Sequence, residues 1–257
     1  MLEQRVLEFL GKERLDDQLS WAHTARKSTS YEEEVSPAQA AWLARARQLA
    51  PAVMVGKYSP AHLDDLIGDL KNLLSSPEET RRVPRLLADA GIRFVIVEAF
   101  ASTKIDGVSF WLDEFSPVIA LSLRFDRIDN FWHVLMHEFA HTKTRDALEH
   151  RPALDIELER KDDKPPAEKA ANQFAVETLV DQEELDGFIG RNRPLFSTLK
   201  IQGFAAVIGV HPGIVVGQLH YRDEISYAHS RKMLAPIRQT VTQAALTDGW
   251  GHFPTGV

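Results

Sequence analysis

The chain has 257 residues, 44% of them hydrophobic and 26% charged, a mix that excludes wholesale disorder and allows one large domain or two small ones. A formal net charge of −7 argues against a general nucleic-acid coat or a polybasic membrane binder. With no cysteine, a disulfide scaffold is impossible, and any metal has to be held by His, Asp and Glu. That donor set suits zinc, but also manganese, nickel or iron. The N-terminal MLEQRVLEFLGKERL lacks the basic start, apolar run and cleavage site of a secretory signal. The longest apolar runs, such as 205–210, fall far short of the ~20 residues that cross a bilayer, so a soluble, cytoplasmic protein is expected.

Three zones follow in chain order. Residues 1–90 read as helical. Ser36-Pro37 opens the helix AQAAWLARARQLA, with Ser as N-cap and Pro in the first turn. Ser59-Pro60 opens AHLDDLIGDLKNLL, whose leucines keep helical spacing, and Ser76-Pro77 begins a third helix running to Asp89. TARKSTSYEEEV, before Ser36, reads as a polar connection. Around 92–124 the period changes: 92–97 (IRFVIV), 107–112 (GVSFWL) and 118–123 (VIALSL) are three strands, the last two a hairpin turned at Asp113-Glu114 and Ser116-Pro117. Helix returns with Asp129-Asn130 capping FWHVLMHEFAHTKT. A charged loop spans 145–166, and the helix EKAANQFAVETLV follows it. Two short helices flank Gly209, and a last one covers 231–246. The domain division expected is a helical segment at 1–90 and a catalytic domain with C-terminal helices at 91–257, packed as one unit.

The chemistry lies in His137-Glu138-Phe139-Ala140-His141. Histidines four apart on a helix project from one face, one turn apart, and can chelate one ion. Glu138 then stands beside the ion, where it can take a proton from metal-activated water and return it to a leaving amine. Phe131, Leu135 and Phe139 line another face, as an amphipathic helix requires. A third ligand should come from a neighbouring element. Glu168, at the start of EKAANQFAVETLV, is the choice, although a first-turn acid is equally what the helix dipole favours. Asp155, Glu157, Glu177 and Asp181 are rivals, and Asn172 is placed to hydrogen-bond a ligand histidine.

HEFAH followed 27 positions later by EKAANQFAVETLV resembles the ImmA/IrrE family of zinc metallopeptidases. LLADAGIRFVIVEAF, KIDGVSFWL, SPVIALSLRFDRIDNFWHVLMHEFAH and IGVHPGIVVGQLHYRDEISYAH resemble the C-terminal peptidase part of HigA-type antitoxin regulators. The likeness runs from roughly Ser20 to Lys232. It implies zinc on His137, His141 and Glu168, and Glu138 as the catalytic glutamate; the cysteine-free donor set keeps manganese as the alternative metal. It also implies a protein substrate, a DNA-binding repressor or a toxin–antitoxin partner. Two departures stand out: no N-terminal helix-turn-helix is apparent, and the tail carries His220, Tyr221, Arg222 and Asp223 where the subgroup often shows a Gln-His pair followed by Gly.

Other features rank lower. His133 belongs beside the ligands rather than among them, because three ligands do not fit two turns of one straight helix. His211, Tyr221, Tyr227 and His229 are candidates to stabilise an oxyanion. IQGFAAVIGVHPGIVVGQLH fits a helix-turn-helix pattern, but its second helix is too apolar to read DNA, so a hairpin packed on the protein is expected. Arg81, Arg82 and Arg85 read as a solvated helix face. The strand at 108–112 serves either as core or as an edge to which substrate adds, with core favoured.

The expected fold is α+β and zincin-like: an N-terminal helical subdomain, a small mainly antiparallel sheet of about three strands, and the HExxH helix backed by C-terminal helices. The expected function is a zinc-dependent endopeptidase that cleaves a regulatory protein. The alternative is an antitoxin-like interaction module whose metal site is structural or sensory.

Overall fold

The structure is a computed structural model that describes residues 2–11, 14, 36–100, 103–146, 154–156 and 165–248. The expected polar connection before Ser36 lies outside these residues, as does Glu157. Helix α1 is Leu2–Leu10, tethered by Gln48, whose side-chain amide donates to the Phe9 carbonyl. Helix α2, Pro37–Leu49, begins as its sequence dictates. Ser36 Oγ accepts from the Gln39 N–H and Gln39 Oε1 from the Ser36 N–H, satisfying two otherwise orphaned donors.

After α3 (Leu63–Lys71), Ser76-Pro77 starts a 3₁₀ segment, Pro77–Arg82, and only then α4, Val83–Asp89. The single helix expected over 77–89 is thus two pieces. Pro84 has no N–H to return to residue 80, so the first turns cannot close as α-helix.

Strands β1 (Arg93–Ile96), β2 (Ile105–Trp111) and β3 (Pro117–Leu121) match the three expected, and β2–β3 is the expected antiparallel hairpin, with Trp111 opposite Pro117. The sheet is larger and mixed, however. Its order is β4-β2-β3-β1-β5, with β4 Leu154–Ile156 antiparallel to β2 and the two-residue β5, Leu246–Thr247, parallel to β1. β1 also runs parallel to β3. The physical reason was present in the strands themselves: β3 is buried at every position and β1 at three of four. Such unbroken apolar runs belong to strands covered on both faces. β4 escaped notice as three residues inside a charged segment.

Alternate side chains feed two cores. Val95, Val97, Val108, Phe110, Val118 and Ala120 pack under α2 with Trp42, Leu43 and Ala46. The Trp42 indole N–H donates to the Val97 carbonyl at 2.8 Å, fixing α2 on that face. Phe94, Ile96, Ile119 and Leu121 turn to the opposite, larger core. Its centre is α5, Ile128–Thr144, which buries Phe131, Trp132, Leu135, Met136 and Phe139.

Arg127, not Asp129 or Asn130, occupies the N-cap of α5. Asp129 sits in the first turn, paired with Arg127, where its charge favours the helix dipole.

Helices α6 (Pro166–Leu179), α7 (Gln182–Asn192), α8 (Thr198–Ile208) and α9 (Pro212–Tyr221) complete this layer. Gly209 ends α8 at φ 73°, so the pair flanks Gly209 as expected. Helix α9 buries Ile214, Val215, Val216, Gln218, Leu219 and His220, which makes it a packed helix rather than one presented to DNA. The last expected helix is interrupted. A 3₁₀ turn at Arg231–Met233 and a short α10, Arg238–Thr242, lie on either side of Pro236, and the chain then extends into β5. Among the described residues, no single helix is long and apolar enough to cross a membrane.

Helix α5 lies so close on β2 that Gly107 has no room for a side chain. A Cβ there would stand 2.7 Å from Val134 Cγ1, 2.9 Å from Leu121 Cδ2 and 3.0 Å from Glu138 Oε1. Gly107→Ala should therefore destabilise the fold by ~1–3 kcal/mol, as overpacking does. Gly203, inside α8 with nothing within 4 Å, should gain ~0.5–1 kcal/mol on conversion to Ala. Urea unfolding midpoints of the two variants should move in opposite directions.

Candidate metal centre

The four-residue spacing on α5 does what helix geometry demands. His137 and His141 project side by side, with Nε2 atoms 3.1 Å apart, and both rings are buried. Helix α6 packs across α5, with Phe174 stacked on Phe139 at a centroid distance of 6.4 Å. This brings the third residue of α6, Glu168, onto the histidines. Its Oε2 is 3.2 Å from His137 Nε2 and its Oε1 3.3 Å from His141 Nε2. Among the described residues, these three form a group able to hold a metal ion.

The donor spacing tests the fit. Ligands about 2.0–2.1 Å from a tetrahedral zinc stand about 3.3 Å from one another. The 3.1 Å between the two imidazole nitrogens, and the 3.2 and 3.3 Å from each of them to its own Glu168 oxygen, are close to that ligand–ligand spacing.

The electrostatics point the same way. Burial opposes a charge on His141, but hydrogen bonds to Asp146 and Glu168 and the field of Glu138 outweigh it, pushing its pKa up to about 11. Burial would likewise favour neutral Glu168; the hydrogen bonds and charges of His137 and His141 reverse this and hold its carboxyl well below the usual range. The cluster therefore demands positive charge at its centre, from protons or from a cation.

Glu138 is fully buried, and its Oε1 faces Gly107 of β2. His133 is half-buried, its ring 6.4 Å from that of His137, outside the donor group. Asn172 does not hydrogen-bond a ligand histidine as expected. Its side-chain amide donates to the Glu168 carbonyl at 2.8 Å, turning back along its own helix. Of the rival ligands, Glu177 is bonded to Gln173 and Asp181 caps α7, while Asp155 is placed on β4 opposite Gly107.

The candidates for oxyanion support also have other placements. His211 accepts the Gly213 N–H at the start of α9, and His229 Nε2 contacts the Phe196 carbonyl. Tyr227 lies against His220, which is buried and bonded to the His229 carbonyl. Tyr221 lines a groove of about 300 Å³ with Lys169 and Asn172, one turn along α6 from Glu168.

Sequence reasoning passed over two residues. Asp146 Oδ2 lies 2.9 Å from His141 Nδ1; the only signal was an acid five positions beyond the second histidine. Gly107 was read as an ordinary strand residue, although a glycine inside a strand marks close approach.

A helix bearing two converging imidazoles and a glutamate between them, completed by a carboxylate from a second helix, defines a metallopeptidase type of site. Residues 88–210 match the family model of the IrrE N-terminal-like domain, Peptidase_M78, and this stretch is a domain of the ImmA/IrrE type. No curated protein and no solved structure matches the chain.

Because His141 holds a proton at neutral pH when no cation is present, metal loading has to expel it. Zinc binding at pH 7 should release at least one proton, seen by calorimetry in buffers of different ionisation enthalpy. In the metal-free chain the same raised pKa stabilises the fold fully below the unfolded value of about 6.5. That contribution is lost as pH rises through about 11.

Proposed function

We propose that the chain is a metal-dependent endopeptidase that cleaves a regulatory protein, a DNA-bound repressor or an antitoxin. His137, His141 and Glu168 would hold zinc, or manganese in its place, and Glu138 would act as general base and then general acid. The observation that carries this reading is the position of Glu138. It is wholly buried beside the donor group, close enough for its field to act on His141, and a purely structural site has no use for it.

When bound, the metal supplies a Lewis acid that polarises a peptide carbonyl and makes water acidic enough to attack near neutral pH. Glu138 accepts the proton that the attacking water sheds and delivers it to the nitrogen of the leaving amine. Gly107 lets the Glu138 carboxylate lie against the strand instead of being pushed off it. β4 pairs with β2 only from Ile105 to Val108. Ser109, Phe110 and Trp111, beyond that stretch, are buried, which supports reading this part of β2 as core. The choice of a regulator as substrate rests on the resemblance to HigA-type antitoxin regulators, and such a substrate implies action in the cytoplasm.

The test is metal analysis paired with cleavage of candidate repressors and antitoxins. Glu138→Gln should retain one metal per chain and lose ~10²–10⁴-fold in cleavage rate, the usual share of acid–base catalysis. Equal cleavage by Glu138→Gln would sink the role given to Glu138. Tight binding of a partner with bound metal and no cleavage would favour the regulatory module over the peptidase.

A further inference from the structure

An imidazole can serve a metal through either nitrogen, and what its other nitrogen does decides which. His141 turns Nε2 toward His137 and Glu168, while Nδ1 lies 2.9 Å from Asp146 Oδ2. An ionised carboxylate only accepts, so this contact holds a hydrogen on Nδ1, and once His141 gives up its other proton on metal loading the Nε2 lone pair faces the donor group.

Asp146 reaches that place because of how α5 ends. Arg145 adopts the left-handed conformation, φ 59° and ψ 17°, which takes the chain off the helix axis immediately before Asp146. Arg145 is itself anchored on the β2–β3 hairpin. Its Nη2 donates to the Glu114 carbonyl at 2.9 Å, and its guanidinium lies 4.9 Å from the Trp111 ring centroid. Tyr58 meets the same indole edge-on at 5.2 Å. The turn that delivers Asp146 is therefore a built feature of the fold.

We propose that Asp146 is a positioning residue for the metal site, fixing the tautomer and ring orientation of ligand His141. This rests on the reading of His137, His141 and Glu168 as ligands. The Asp146 side chain is 26% exposed, so its removal leaves only a small gap.

The experiment compares the full chain with Asp146→Ala and Asp146→Asn by chelator competition for zinc, and by the visible spectrum of the cobalt-loaded forms. Asp146→Ala should bind zinc ~10–100-fold more weakly, the usual effect of losing such a partner. Its cobalt bands should shift, which loss of a merely structural contact would not cause. Asp146→Asn keeps an oxygen able to accept from Nδ1–H and should lose less, and it serves as the test if the alanine variant does not fold. Wild-type zinc affinity in Asp146→Ala, with unchanged cobalt bands, overturns the inference and leaves the metal site standing. Equal losses in the two variants overturn the hydrogen bond as the cause. A wild type that takes up no metal overturns the site reading, and the inference with it.

Discussion

Burying imidazoles and carboxylates together is the constraint around which this protein is arranged. His137, His141, Glu138 and Glu168 all lie in the interior where α5, α6 and β2 meet, and charged groups there are costly unless opposite charge compensates them. Compensation works only at short range, so the surrounding elements must hold the donors to within tenths of an ångström. The stacking of Phe139 on Phe174 sets the approach of α6, and the bare backbone of Gly107 sets the approach of the sheet. The apolar face of α5, with Trp132, Leu135 and Met136 fully enclosed, removes any freedom for the helix to roll. A single helix is thus both the spine of the larger core and the carrier of the chemistry.

Much of this was legible in the sequence, and unevenly so. Period and spacing revealed α5 and its two histidines because a helix converts a four-residue interval into a shared face. The hairpin was equally readable from its turn residues. Glu168 was a different matter: whether it meets the histidines depends on how α6 crosses α5, a tertiary relation that spacing does not encode, and the family resemblance supplied it. Asp146 was invisible for a related reason. Its approach depends on one residue, Arg145, adopting a left-handed conformation that no glycine or asparagine announces. The parallel strands were misjudged because continuous apolar runs were taken as strand signals without drawing their second meaning, burial on both faces. Proline positions 84 and 236 were in plain view and cut helices that periodicity alone would have continued.

The helix pair α8–α9 shows how a local pattern can mislead about function. Its turn at Gly209 and its small and apolar positions satisfy the outline of a DNA-reading motif. The second helix nevertheless spends its apolar side chains on the core beside α5, with Gln218 bonded to the Val176 carbonyl of α6. The hairpin acts as a buttress for the layer that supports Glu168 and does not present its second helix as a DNA-reading face.

Trp42 has a consequence for where this protein can be cut. The stretch that matches the family model starts at residue 88, yet one whole face of its sheet is roofed by α2, with the Trp42 indole bonded to Val97. At the other end, residues 246–247 complete the sheet beside β1, well past position 210. A fragment trimmed to the recognisable stretch would expose Val95, Val108, Phe110 and Val118 to water along a strand surface open to self-association. The autonomous folding unit is consequently longer than the homologous one. Expression boundaries set by similarity alone would yield an aggregating piece of the protein, with its histidines intact and nothing to hold them.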